Sequence, residues 1–293
     1  MSEEIRFIDL FSGIGGFRLG LERNGFKHVW SNDIEENANK IYIKQFGEEN
    51  HYSGDIREVK ADNIPDHDIL CAGFPCQSFS ISGNRKGFDD IRGTLFFEIA
   101  RIAENKKPKI LFLENVDGLR NHDEGRTFLT ILRVLGELGY YVEWQVLRSY
   151  WFGVPQYRPR VFIIGYFGGP PTKTVFPITK TRYGGTSSYI QVDISGKGYN
   201  SQQDRFYPEH SVMATLGAHA GGNTFNIINR DGGIRTLTPN ELCRLQGFPD
   251  GWIDGLSYAK QRTVAGNAVT VDVIEFLGGK IKTSINSKTK RTK

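Results

Sequence analysis

Within residues 1–166, short apolar runs alternate with segments of helical periodicity, and several of the apolar runs end in glycine, cysteine or an acidic residue. This alternation predicts strands over residues 5–10, 28–33, 68–72, 109–115, 140–147 and 160–166. It predicts helices over 15–24, 35–46, 94–104 and 125–138. Strands and helices in turn, with buried strands apolar along their length, mean an α/β fold with a mostly parallel sheet covered on both faces. Sheets of that kind hold ligands in the crevice beyond the carboxyl ends of their strands. The residues that end each strand are therefore the ones to read for function.

After residue 166 the texture changes. Residues 167–234 are rich in Gly, Ser, Thr, Tyr, Asn and Pro and lack a helical period, which predicts a small irregular domain of loops and short strands. Helical signals return over 238–246, where Thr238 stands as N-cap with Glu241 three residues on, and over 269–280. The expected organisation is a catalytic and cofactor-binding domain over 1–166, completed by 235–282, with a separate domain over 167–234. A basic tail over 283–293 is expected to be disordered.

Charge is a poor guide to partners here. Residues 1–166 carry 21 basic and 24 acidic side chains, while residues 167–234 carry six basic and four acidic, so any nucleic-acid surface must be local. No apolar run approaches membrane-spanning length, and the start MSEEIRFIDL is acidic where a signal peptide would be basic. A cytoplasmic protein without membrane contact is the expectation. The three cysteines, Cys71, Cys76 and Cys243, form no CxxC, which speaks against a disulfide framework or a zinc site.

Four constellations stand at predicted strand ends. The first is FIDLFSGIGGFRLGL, residues 7–21, a strand running into Gly13, Gly15 and Gly16 and then a helix. Glycines there let a cofactor approach the backbone. The pattern is not the GxGxxG of dinucleotide enzymes, because Arg18 stands in place of the third glycine. Asp33 and Asp55 are acids at two further strand ends; a glycine-rich turn with ordinary surface acids would look the same. The second is GFPCQSFS, residues 73–80, in which Cys76 follows a stiff Pro75 directly after a buried strand. Taken alone, such a cysteine is more often a small core residue than a nucleophile. The third is Glu114 in LFLENV, a carboxylate ending a buried strand, either a proton donor or a core acid satisfied by amides or an arginine. The fourth is VPQYRPRVFIIGY, residues 154–166, where Arg158 and Arg160 precede a strand and suit a phosphate or a base oxygen, or simply a solvated edge.

Taken in order, these motifs resemble the DNA (cytosine-5)-methyltransferases, particularly the small bacterial and phage enzymes. The resemblance spans nearly the whole chain: FSGIGG, Asp33, GDI at 54–56, GFPCQSFS, RGTLFFEIARI at 92–102, ENV at 114–116, QYRPR at 156–160, RTLTPNELCRLQGFPD at 235–250 and GNAV at 266–269. It implies a Rossmann-like class I S-adenosylmethionine-dependent methyltransferase fold with a small target-recognition domain over 167–234. It implies Cys76 as the nucleophile, Glu114 on ring nitrogen 3 of cytosine, Arg160 on the base oxygen, and Arg158 and Asn115 as supports of the catalytic loop. Phe11, Gly13, Ile14 and Gly16 would line S-adenosylmethionine and its product S-adenosylhomocysteine. Asp33 would bind the ribose and Asp55 with Ile56 would flank the adenine, while Pro75, Leu95, Asn267 and Val269 complete the pocket. Relatives often carry an aromatic residue where this chain has Ile34, which bears on cofactor affinity.

The same resemblance implies double-stranded DNA as substrate, a monomer, no metal, and a cognate restriction endonuclease as candidate companion. Base flipping follows, since the target atom is unreachable inside a duplex. The loop over 78–93 is expected to close over the flipped base. Gln77, Ser80, Arg205 and Thr215 are the expected DNA contacts, with Gln202 or Gln203 filling the space the base leaves. The competing readings are a transfer-RNA methyltransferase, a catalytically silent DNA-binding relative, and a nicotinamide oxidoreductase, the last disfavoured by the missing third glycine.

Overall fold

The computed structural model describes residues 4–75, 95–179, 190–191, 205–208, 211–217, 226–228 and 233–289. The first half alternates as its sequence predicts: β1 (Arg6–Leu10), α1 (Gly16–Glu22), β2 (Lys27–Asp33), α2 (Glu36–Phe46), β3 (His51–Ser53), β4 (Ile69–Gly73), α3 (Leu95–Lys106), β5 (Ile110–Val116), α4 (Arg126–Glu137), β6 (Tyr140–Arg148) and β7 (Pro159–Phe167). The seven strands form one sheet in the order β3-β2-β1-β4-β5-β7-β6. Neighbours from β3 through β5 run parallel, and β7 is antiparallel to both β5 and β6. This is the mostly parallel, Rossmann-like α/β sheet that the sequence predicts.

The sheet buries both faces by strict alternation. Ile8, Leu10, Leu70, Ala72, Leu111 and Leu113 face one core with Phe96 and Ile99 of α3 and Phe128 and Ile131 of α4. Their neighbours Phe7, Ile69, Cys71, Ile110 and Phe112 face the opposite core with Phe17 and Leu21 of α1. Residues that look uniformly apolar in the chain thus serve two cores of period two.

The remaining described elements are β8 (Ile190–Gln191), β9 (Arg205–Pro208), β10 (Asn226–Ile228) and β11 (Ile234–Thr236), then α5 (Pro239–Leu245), α6 (Tyr258–Asn267) and α7 (Val271–Thr289). The four strands form a second sheet in the order β11-β10-β9-β8. Tyr207, Met213, Leu216 and Ile227 share a core with Leu242 and Leu245 of α5 and Val264 and Ala265 of α6. At α5, Thr238 accepts from the Glu241 amide while the Glu241 side chain accepts from the Thr238 amide, as the sequence predicts.

Three elements differ from the sequence reading. Strand β3 has only three residues and no alternation to betray it. Helix α6 was not anticipated because it buries Gln261 and Arg262 beside Val264, which erases the apolar stripe. Helix α7 runs on to Thr289, so residues 283–289 are helical where the sequence predicts a disordered basic tail over 283–293. Ile274, Leu277, Ile281 and Ile285 continue a stripe against the sheet and carry the helix onward. Among the described residues, no helix is long and apolar enough to cross a membrane.

Candidate active site

The sheet order reverses at β1: the chain moves outward to β2 and β3, then returns to β4 on β1's other side. Such a switch point opens a crevice at the strand ends. At the end of β1, Phe11 takes a left-handed φ of 55°, an uncommon conformation for a bulky side chain that is found at functional turns. Gly13 follows at φ 55° and Gly15 at φ 88°. A Cβ on Gly15 would strike the Phe46 ring, and one on Gly16 would lie 2.9 Å from Val269. The turn is therefore packed from behind by α2 and by the segment after α6. Trp252 Nε1 donates to the Ile14 carbonyl at 3.0 Å and fixes it from a third side.

Asp33 closes β2 beside this turn. One carboxylate oxygen accepts from the Gly13 amide at 2.7 Å and the other from the Glu35 amide at 2.8 Å. Burial raises its pKa above the usual carboxylate range, and the amides oppose that rise. Ile34 next to it is 66% exposed, and a cavity of about 490 Å³ opens beside Ile34, Asn39 and Ser53. Asp55 caps the short turn over Ile56–Glu58 and pairs with Arg57, whose hydrogen bond lowers its pKa. Ile56 is buried. Leu95 opens α3, Asn267 closes α6 exposed, and half-buried Val269 lies before α7. The donor set suits a nucleoside-bearing cofactor: glycine main chain at the turn, a fixed carboxylate for hydroxyls, and Ile34 and Ile56 as apolar flanks.

At the other side of the switch point, β4 and β5 run parallel with Gly73 opposite Glu114. A Cβ on Gly73 would lie 3.6 Å from Glu114 Oε2, so the path toward Cys76 passes against the carboxyl. Glu114 is 9% exposed, and its Oε1 pairs with Arg160 Nε at 3.0 Å. Burial pushes the Glu114 pKa up, while Arg160 and Arg158 pull it back. Burial likewise pushes Arg160 down, opposed by Glu114 and Asp117. Asn115 Nδ2 donates to the Phe74 carbonyl at 2.7 Å, which ties the start of the Cys76 loop to β5.

Arg158 does a different job from its neighbour. Its Nη1 donates to the Leu216 carbonyl at 3.3 Å, and its Nη2 to Gly266 at 2.9 Å and Ala268 at 2.8 Å. It joins three chain segments around the end of β7. Gln156, given no role by the sequence reading, works beside it: its Nε2 donates to the Leu245 carbonyl and its Oε1 accepts from the Leu216 amide. Thr215 donates its hydroxyl to the Tyr157 carbonyl at 2.7 Å. Arg205 opens β9, opposite Gln191. Pro75 is exposed at the end of the described β4 segment. Cys76, Gln77, Ser80, the rest of the loop over 78–93, Gln202 and Gln203 lie outside the described residues. Asp9, in the glycine-turn motif, is buried opposite Cys71, and burial pushes its carboxyl well above the usual range.

With this geometry in view, known proteins agree on one assignment. The model of the family described as C-5 cytosine-specific DNA methylase matches residues 5–215 and 172–283. The chain belongs to the C-5 cytosine-specific DNA methylase family. As a methylase of this family it is a DNA (cytosine-5)-methyltransferase. It is 42% identical to the type II methyltransferase M.NgoBI of Neisseria gonorrhoeae, over 92% of this chain and 90% of that protein. It is 37% identical to M.HhaI of Haemophilus parahaemolyticus, over 97% and 96%. Its fold matches the crystal structure of the S. pombe Dnmt2 methyltransferase with a TM-score of 0.76 at 21% identity, over 97% of this chain and all of that one. A putative DNA modification methyltransferase encoded within an E. coli prophage matches with a TM-score of 0.74 at 19% identity, over the same shares. The methylase thus carries its turn, its carboxylates and its arginines at the ends of the central strands of a family fold.

Proposed function

We propose that this methylase transfers a methyl group from S-adenosylmethionine to carbon 5 of a specific cytosine in double-stranded DNA, with Cys76 as nucleophile. The Cys76 thiolate adds to carbon 6 of the flipped-out base, forming the sulfur–carbon bond and turning carbon 5 into an enamine carbon. Glu114 holds ring nitrogen 3 and shares its proton as negative charge enters the ring. Arg160 steadies Glu114 and contacts the base oxygen. When bound, the cofactor supplies an electrophilic methyl group on a sulfonium. Loss of the proton at carbon 5 then returns the electron pair that expels Cys76. Phe11, Gly13, Ile14, Gly16 and Asp33 bind the cofactor's methionine and ribose portions. Ile34, Asp55, Ile56, Pro75, Leu95, Asn267 and Val269 complete its pocket. Residues 167–234 read the sequence, with Thr215 at the backbone, Arg205 as a further DNA contact and Gln202 or Gln203 in the vacated space. The enzyme acts as a monomer in the cytoplasm, and a restriction endonuclease acting on the same site is its candidate companion.

The observation that supports this reading most is the Gly73–Glu114 register together with the bond from Asn115 to the Phe74 carbonyl, two residues before Cys76. A buried carboxyl beside an arginine, next to the loop that bears a cysteine, is what addition to a pyrimidine requires. Cys76→Ser is expected to abolish methyl transfer from labelled cofactor to duplex DNA while DNA binding survives. Near-normal turnover of that variant would remove the nucleophile from the scheme. Transfer to transfer RNA in place of DNA would redirect the substrate. Bisulfite sequencing of DNA from cells expressing the chain then reads the recognition site.

A further inference from the structure

Behind Asp33 lies a partly buried chain of polar side chains that the reaction chemistry does not use. Ser31, wholly buried on β2, places its Oγ 2.9 Å from His51 Nδ1. His51 Nε2 lies 2.9 Å from Asn39 Oδ1, and Asn39 Nδ2 donates to the main-chain carbonyl of Asp33 at 3.1 Å. The Gly54 amide donates to that same carbonyl at 2.9 Å. The Tyr42 ring stacks on His51, with centroids 4.2 Å apart and planes 17° from parallel. Arg18 donates to the Tyr42 hydroxyl at 3.3 Å, so a cation closes the outer end.

The proton positions follow from this inventory. Asn39 turns its nitrogen toward the Asp33 carbonyl, so its oxygen faces His51. His51 Nε2 must then carry the hydrogen. Burial, aided by Arg18, lowers the His51 pKa to about 4, so the ring is neutral and its Nδ1 is left to accept the Ser31 proton. Every bond in the chain runs one way, from Ser31 to Asp33.

The location explains the need for such a chain. Asp33 is the last residue of β2, its outer neighbour β3 is three residues long, and α2 starts three residues later. Strand pairing alone therefore gives this peptide little hold. Asn32 adds a second tie, donating to the carbonyls of Tyr52 at 3.1 Å and Gly54 at 2.7 Å. The Asp33 carboxylate and the segment of Asp55 and Ile56 are thus held in one spacing from two sides.

We infer that Asn39, oriented by His51, is a positioning residue for the cofactor, fixing the Asp33 peptide so that its carboxylate and the segment after Gly54 keep the separation a bound nucleoside needs. The inference rests on the proposed ribose contact of Asp33. Supporting groups of this kind set how sharply a primary contact is held, and their loss weakens binding without touching the chemical step.

Asn39→Asp tests it. The aspartate has nearly the same shape and still accepts from His51, but it no longer donates to the Asp33 carbonyl. The expected result is a rise of about tenfold in KM for S-adenosylmethionine and in Kd for S-adenosylhomocysteine. Both kcat at saturating cofactor and KM for DNA are expected to stay within about twofold. A lower melting temperature with an unchanged KM for the cofactor would mean a merely structural role and overturn the inference. Asp33→Ala is the reference. If it leaves cofactor binding unchanged, the ribose assignment fails and takes the inference with it. If it weakens binding while Asn39→Asp does not, the inference alone fails. Should Asn39→Asp not fold, His51→Phe preserves the stacking on Tyr42 and severs the bond to Asn39. A several-fold rise in KM is then expected, and wild-type cofactor binding in that variant overturns the inference.

Discussion

Two buried carboxylates end strands of the same sheet, Asp33 on β2 and Glu114 on β5, and they are held by different means. Among the described residues no cation pairs with the Asp33 carboxylate; the amides of Gly13 and Glu35 grip it, and neutral side chains brace its peptide. Glu114 faces Arg160 across 3.0 Å, with Arg158 adding to the field. Amide hydrogen bonds orient a carboxylate while leaving its remaining lone pairs for a ligand's hydroxyls. An arginine partner in a buried site does something else. It opposes the rise in pKa that burial imposes on the Glu114 carboxyl. The proposed roles divide in the same way, ribose binding at the β2 end and proton sharing at the β5 end.

The largest expected effect tests the proton side. Glu114→Gln keeps the shape but cannot share an acidic proton, so kcat is expected to fall by about 10²–10⁴-fold with KM for the cofactor little changed. A variant that keeps its kcat and loses cofactor affinity would erase the distinction between the two ends. A smaller effect sharpens the binding side. Ile34 is 66% exposed beside Asp33, where an aromatic face would lie against an adenine. Ile34→Trp is expected to tighten S-adenosylhomocysteine binding by roughly twofold to tenfold, read by titration calorimetry, with kcat unaffected. Weaker binding by the tryptophan variant would show that this flank does not meet the base.

The smallest effect concerns pH. His51 is held at a pKa of about 4 against an ordinary 6.5, so between those values the unfolded chain binds the additional proton. The stability contributed by the neutral ring is present above about pH 6.5 and is lost as pH falls toward 4. His51→Phe is therefore expected to melt below the wild type at pH 7.5, and the gap is expected to narrow by pH 5. A gap constant across that range would mean that His51 does not resist protonation in the fold.

Much of the first half was legible because buried parallel strands need unbroken apolar runs and the helices between them need one apolar stripe. Glu114 was legible for the same reason, since a carboxylate ending an apolar run is costly to bury without a use, and Asp33 was legible as the acid that ends the next strand. The caps of α5 were legible because Thr238 and Glu241 interact at short range. Strand β3 and helix α6 were not: the first is too short to show a period, and the second buries Gln261 and Arg262, which reverses the usual polarity rule. Arg158 and Arg160 were legible as a pair, but their different partners were hidden. Arg160 meets Glu114, 46 residues earlier in the chain, while Arg158 meets carbonyls up to 110 residues later.

By itself, the amino-acid sequence determined the alternating α/β frame, the strand ends where chemistry gathers, and the residue types waiting there, because each follows from periodicity within a short window. Tertiary structure alone decided which of those residues meet. Trp252 reaching Ile14, Asn39 bracing Asp33, and Asn115 holding Phe74 all join positions between 6 and 238 residues apart. A hydrogen bond reads distance in space, and no local pattern in the chain encodes that distance until the sheet has brought its strand ends together.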